Sequence, residues 1–197
     1  MATRYGLPFF LEDKTGRLDG SEFVDLHDRT RLVYRRKSRD ATRIVYGIFD
    51  ITLGTYEAFH VPVVTLCFGA DNSLGSVCYA PGVGVIGGTR EGEEKWMQMA
   101  KYLSQVNIFA GSKLRRFFAS DGNEYRWGYK LAEGNEWTCT NSSGTIVSHY
   151  NLKSPGEPPY YGSSGCMLTV EEDYGHLACE MLATVMIMRH IVAHDLS

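Results

Sequence analysis

Seven basic residues, Arg29, Arg31, Arg35, Arg36, Lys37, Arg39 and Arg43, fall within 15 positions of a chain that holds 20 lysines and arginines in all. The chain as a whole carries a formal charge of -3, so this cluster is a local reversal of sign. Guanidinium and ammonium groups gathered in this way hold phosphate or carboxylate through charge-assisted, partly bidentate hydrogen bonds. On a strand through Arg31–Arg36, side-chain alternation sets Arg31 and Arg35 on one face and Arg36 on the other. Lys37 and Arg39 then occupy the tip of a hairpin. Asp28 and Asp40 offset part of the charge. The plainer use of such a run is to keep an edge strand solvated and unpaired.

Other residues offer weaker chemistry. Glu180 lies in an apolar stretch, one helical turn after His176. A carboxylate there is paired, protonated or hydrogen-bonded; its functional alternative is an acid/base group facing an internal cavity. His190 and His194 share the spacing of a zinc-binding helix, but no third or fourth ligand can be placed, and no metal is expected. A basic pair at Arg189-His190 also suits a helix C-terminus. Gly82-Val-Gly84-Val-Ile-Gly87-Gly88 fits G-x-G-x-x-G, yet the next helix starts several residues too late to receive a pyrophosphate, so the string reads as a glycine loop. Tyr125, Trp127 and Tyr129 share one strand face, the arrangement of a ligand wall or of core packing. Cys67, Cys78, Cys139, Cys166 and Cys179 have no paired spacing and mostly apolar neighbours, which predicts free, structural thiols. No cofactor is expected.

The elements that position these residues are mostly strands. Arg31–Arg36, Thr42–Thr52, Ala58–Phe68, Ser76–Ala80, Leu114–Ala119, Glu124–Leu131, Glu136–Thr140 and Thr145–Tyr150 are rich in β-branched and aromatic residues and bounded by turn formers. Asp121-Gly122 marks a hairpin turn. Trp96, Met99, Ala100 and Leu103 recur at helical spacing and predict an amphipathic helix near residues 93–106. From Leu177 to Val192 the chain is apolar nearly all round, interrupted by Glu180, Arg189 and His190. A helix apolar on every side is buried on every side, and the three interruptions argue against a membrane span. Many strands and one such helix predict a β-barrel wrapped around a central helix. Residues 1–30, polar with Pro8, Gly16 and Gly20, read as an irregular N-terminal arm ahead of a single domain over 31–197.

Composition sets the outer limits. Hydrophobic residues make up 44% and charged residues 22% of the 197, so the chain buries an ordinary core without staples. A net acidic balance argues against a general nucleic-acid partner. The N-terminus carries only a three-residue apolar run before charge returns, so no secretory signal is expected. The chain reads as intracellular.

The run Arg116-Phe-Phe-Ala-Ser-Asp-Gly-Asn-Glu-Tyr-Arg-Trp127, then Glu136-Trp-Thr-Cys139 and Thr145-Ile-Val-Ser-His-Tyr150, resembles a family of fungal proteins. That family is in turn distantly similar to the tubby, LURP-one-related and phospholipid-scramblase-like fold. The resemblance spans residues from about 30 to 195. It implies a mainly β (α+β) fold: a closed antiparallel barrel threaded by its C-terminal hydrophobic helix. It implies no reaction. Tubby-like relatives bind phosphoinositides and scramblase-like ones associate with membranes, but a fold alone transfers neither function.

The expected function is therefore non-enzymatic: a cytoplasmic protein, peripheral at a membrane, that binds an anionic ligand or phospholipid through Arg31, Arg35, Arg36, Lys37 and Arg39. The alternative is a small-molecule enzyme or carrier that uses the barrel interior around Glu180 and His176. A third reading is an interaction scaffold that uses the proline-rich loop 153–165.

Overall fold

Buried and exposed side chains alternate along most of the strands, and one long helix is buried almost throughout; those two patterns define the architecture. The computed structural model describes residues 6–80, 95–106, 113–132, 135–152 and 163–196. The first strands are β1 (Phe9–Asp13), β2 (Gly20–Asp25), β3 (Arg31–Arg39) and β4 (Arg43–Asp50). A one-turn helix, α1 (Tyr56–His60), precedes β5 (Val64–Gly69), β6 (Ser76–Tyr79) and β7 (Lys95–Gln98). A second single turn, α2 (Met99–Tyr102), leads into β8 (Ser104–Gln105), β9 (Arg115–Phe118) and β10 (Glu124–Ala132). Then follow β11 (Asn135–Asn141), β12 (Ile146–Asn151), β13 (Cys166–Val170), a 3-10 turn over Glu172–Leu177 and the helix α3 (Ala178–Ala193).

All the strand pairings are antiparallel, and they build a single 13-stranded sheet in the order β7-β6-β5-β4-β3-β2-β1-β13-β12-β11-β10-β9-β8. The mainly β class, the antiparallel pairing and the C-terminal helix agree with the sequence reading. Closure by hydrogen bonds does not. Among the described residues the ladder stays open between β7 and β8, its two edges. Those edges are consecutive in the chain and meet across α2: the Tyr79 hydroxyl on β6 donates to that of Tyr102 at 2.9 Å, and the Tyr102 ring packs 5.8 Å from that of Phe117 on β9.

Three further expectations are corrected. Where the sequence predicts an irregular arm over 1–30, the described residues form two strands, β1 and β2. β1 is a central strand that joins the two halves of the sheet, pairing with β2 on one side and β13 on the other. Its charged residues concealed it, because Asp13 is wholly buried beside Leu11. The helix near 93–106 shrinks to the single turn α2. Met99 and Leu103 keep their helical relation, with the Leu103 N–H bonded to the Met99 carbonyl, but residues 95–98 are taken up as β7 by the open edge of β6. Tertiary pairing overrides helical spacing there. The strand expected over Ala58–Phe68 begins only at Val64, since Thr55 caps α1 through the Ala58 N–H and Pro62 follows that turn.

α3 runs through the sheet's concave side. Thirteen of its sixteen residues are buried, on all faces, which matches its apolar sequence. Glu172–Ala193 is long and apolar enough to cross a membrane by length and composition, but here its faces are covered by strands from both halves. The Trp127 indole on β10 donates to the Thr184 hydroxyl at 2.8 Å, and the Phe68 ring on β5 stacks on His190 at 4.0 Å. Met181, Leu182, Val185 and Met188 pack against Leu11, Phe23, Leu32, Leu66 and Leu168 in one core cluster. Each such side chain contributes about 1.5–3 kcal/mol through burial.

Candidate functional site

β3 outruns β2, whose pairing with it ends at Arg35, while β4 stays paired with β5 as far as Arg43, so the end of β3 is a sheet edge. Leu32 and Tyr34 are buried, but every residue from Arg35 to Arg43 is exposed. Asp40 closes the connection: its carboxylate accepts from the Thr42 N–H, the Thr42 hydroxyl and the Arg43 N–H. Those donors hold it down to about 2. It also pairs with the Arg43 guanidinium at 3.2 Å. Arg29 is likewise occupied, bonded to Asp25, Leu7 and Pro8 and stacked over Phe9. Asp40 and Asp25 thus serve the turns on which Arg43 and Arg29 sit. Arg31, Arg35, Arg36, Lys37 and Arg39 remain, all exposed, and none forms an ion pair with a carboxylate among the described residues.

A β-bulge divides these five. The register slips between Arg36, opposite Tyr46, and Ser38, opposite Val45, leaving Lys37 as the extra residue. Up to that point alternation places Arg31, Arg35 and Lys37 on the convex face. The slip then turns Arg39 to stand opposite Ile44, on the concave side that Arg36 shares with Tyr46. Both arginines draw the Tyr46 hydroxyl toward ionisation, although burial dominates and raises it. On the convex face, Gly47 opposes Arg35, and the glycine has no side chain to stand between Phe49 and Lys37. Arg35 lies 4.3 Å over the Phe49 ring and donates from Nη2 to the Phe59 carbonyl at 2.5 Å. Its charge is exposed, but its side chain is held.

The interior candidates are arranged differently. Glu180 is buried and accepts from the Ser120 N–H at 3.0 Å and from the Ser120 hydroxyl, in the turn between β9 and β10. Burial pushes its carboxyl up, against the lowering effect of those two donors. His176 is exposed and makes no hydrogen bond to Glu180; it acts on that carboxyl only through space. The described residues do not assemble the two into an acid/base pair. His190 and His194 have ring centroids 4.4 Å apart, but His190 Nε2 lies 2.8 Å from the Asn72 carbonyl. No group of three or more candidate metal ligands occurs among the described residues.

All five cysteines are free. Burial pushes the Cys139 thiol up, and the Cys179 thiol up to about 12, so neither is an activated nucleophile. Tyr125 and Trp127 are fully buried and pack as core. The glycine string Gly82–Gly88 lies outside the described residues, as do residues 153–162 of the proline-rich loop.

Two features escape the sequence reading. One is a buried charge network: Asp13 accepts from the Tyr150 hydroxyl at 2.7 Å and the Gly16 N–H at 2.8 Å, and pairs with Arg189 at 3.5 Å. The other is the segment 51–61 beside the basic hairpin, which carries Leu53, Tyr56 and Val61 largely exposed. No family model, curated protein or solved structure matches the chain.

Proposed function

We propose that this is a non-enzymatic binding protein that engages phosphate-bearing anions at a membrane surface through the hairpin β3–β4. The observation that carries the reading is the set of five exposed cations, Arg31, Arg35, Arg36, Lys37 and Arg39, without carboxylate partners among the described residues on a chain of net negative charge. The bulge sends them to both faces of the sheet at the free edge of β3, so this edge offers donors to a headgroup layer in several orientations. The resemblance to the tubby-like fold, with a cytoplasmic position peripheral at a membrane, belongs to the same proposal. An antiparallel sheet arranged about an apolar C-terminal helix supports it.

Vesicle co-sedimentation tests the reading, with Arg36, Lys37 and Arg39 replaced together by Ser. Arg35 is spared because it also holds α1. Each basic group near an anionic surface is worth about 1 kcal/mol, so three account for about a hundredfold in affinity. The loss should shrink as salt rises, because exposed charges are screened within about 10 Å. Competition with inorganic phosphate separates a bilayer surface from a free anion as the ligand. Wild-type protein that shows no preference for anionic over neutral vesicles at low salt overturns the proposal and returns attention to Glu180 and His176.

A further inference from the structure

α1 is unusual for a helix in a folded domain: none of its five residues is buried. It lies against β4 and is tied to the hairpin by the Arg35 bond to the Phe59 carbonyl. The Thr55 cap and a stack of Tyr56 on His60, 4.0 Å between centroids, hold its single turn. Around it, Leu53 is 87% exposed, Tyr56 77% and Val61 60%. Exposed large apolar side chains are ordinary when scattered singly and mark an interaction site when they adjoin one another. Here three fall within nine positions, on a stretch from Thr52 to Val61 in which no residue is buried, just after the core residue Ile51.

Their setting identifies the partner. Arg31, Arg35 and Lys37 stand on the convex face of the sheet, the face against which α1 packs over Phe49. Thr52, next to Leu53, accepts from the Arg31 N–H at 3.0 Å, so the apolar segment and the cations are fixed to one another. One acid, Glu57, lies on α1. Apolar tips beside cations match the layering of an anionic bilayer, whose phosphates lie just above the first acyl carbons. A second copy of the chain fits poorly, because a two-fold contact would set cation against cation.

We infer that the segment 51–61 is a membrane-insertion loop: Leu53, Tyr56 and Val61 enter the acyl–headgroup boundary of an anionic bilayer while Arg31, Arg35 and Lys37 contact lipid phosphates. The inference rests on the proposed membrane reading and adds to it an orientation, with the convex face toward the lipid, and an apolar contribution that salt does not screen.

The full-length chain is tested on phosphatidylcholine vesicles with and without phosphatidylserine. Replacing Leu53, Tyr56 and Val61 together by Ser should leave the thermal transition in place, since all three are exposed, and weaken binding on the order of a hundredfold. The residual binding should be abolished by high salt. In a Leu53→Trp variant, lipids brominated on the acyl chain should quench fluorescence beyond the baseline from Trp96, Trp127 and Trp137. Unchanged binding by the triple-serine variant, or no added quenching of the new tryptophan, overturns the insertion loop while leaving the charge-based reading intact. Dimerisation of the wild type that the serine variant abolishes, without vesicle binding, overturns both. Failure of the wild type to prefer anionic vesicles is the separate result that removes the parent proposal.

Discussion

Asp13 is wholly buried and shared among a tyrosine hydroxyl, a serine hydroxyl, two turn N–H groups and the Arg189 guanidinium. Arg189 in turn donates to the Gly16 carbonyl at 2.7 Å and lies 4.6 Å over the Tyr150 ring. Removing one member of such a pair leaves the other charge buried alone. Asp13→Ala should therefore cost about 3–5 kcal/mol. The double variant Asp13→Ala, Arg189→Met should recover part of that loss, with urea denaturation as the measurement; a single-variant cost below about 1 kcal/mol would show that the network is not structural. Glu180 makes the opposite kind of residue-scale case. Its carboxyl is raised above its ordinary value of 4.5, by burial first. A raised carboxyl contributes stability below the unfolded value and loses it as pH rises through the folded one. The stability gap between wild type and Glu180→Gln should thus narrow as pH rises above the ordinary carboxylate value. A gap that widens with pH would mean that the Ser120 donors outweigh burial. The sequence marks Glu180 as a buried acid in need of a partner but does not point to Ser120, which stands on a distant turn.

The decisive feature at the level of elements is the β3–β4 hairpin. Its basic residues and its connection are legible in the sequence, but the bulge at Lys37 is not, because nothing local distinguishes one more exposed lysine from a bulged one. Gly47 shows how tightly the convex side is built: a Cβ there would meet the Phe49 ring at 2.7 and 2.9 Å and Lys37 Cδ at 3.2 Å. Phe49 is 2% exposed, so Gly47→Ala should cost about 1–3 kcal/mol by overpacking. It should also displace Arg35 from its stack. A thermal melt checks the first effect and vesicle binding the second; an unchanged melting temperature would show that the ring yields. α1 was hidden for a related reason. Ala58, Phe59 and Val61 read as the opening of a strand, and the Thr55 cap, Pro62 and the register of β4 with β5, which starts at Val64, take them out of the sheet.

Across the whole molecule, the pairing of β1 with β13 makes the first and last strands neighbours at the centre of the sheet. Deleting residues 1–30 should therefore abolish cooperative unfolding rather than trim a loose arm, and deleting residues 177–197 should do the same by emptying the concave side. Amide exchange adds a finer readout: Leu11 should be among the slowest amides. A soluble, cooperatively melting chain after either deletion would contradict the architecture. The sequence by itself determined what local periodicity can carry: the hairpin strands from Glu124 to Asn151, the basic cluster, and the all-round apolar character of α3, whose burial follows because no face of it suits water. Tertiary structure alone decided the rest. A buried Asp13 is acceptable only once Arg189 and Tyr150 arrive from the other end of the chain. Residues 95–98 become a strand only because β6 presents an unpaired edge. Among the described residues the ladder stays open at α2, where Met99 and the following Leu103 are buried in the core and Tyr102 is hydrogen-bonded to Tyr79. Each of these outcomes depends on a neighbour remote in sequence, and no local pattern encodes that.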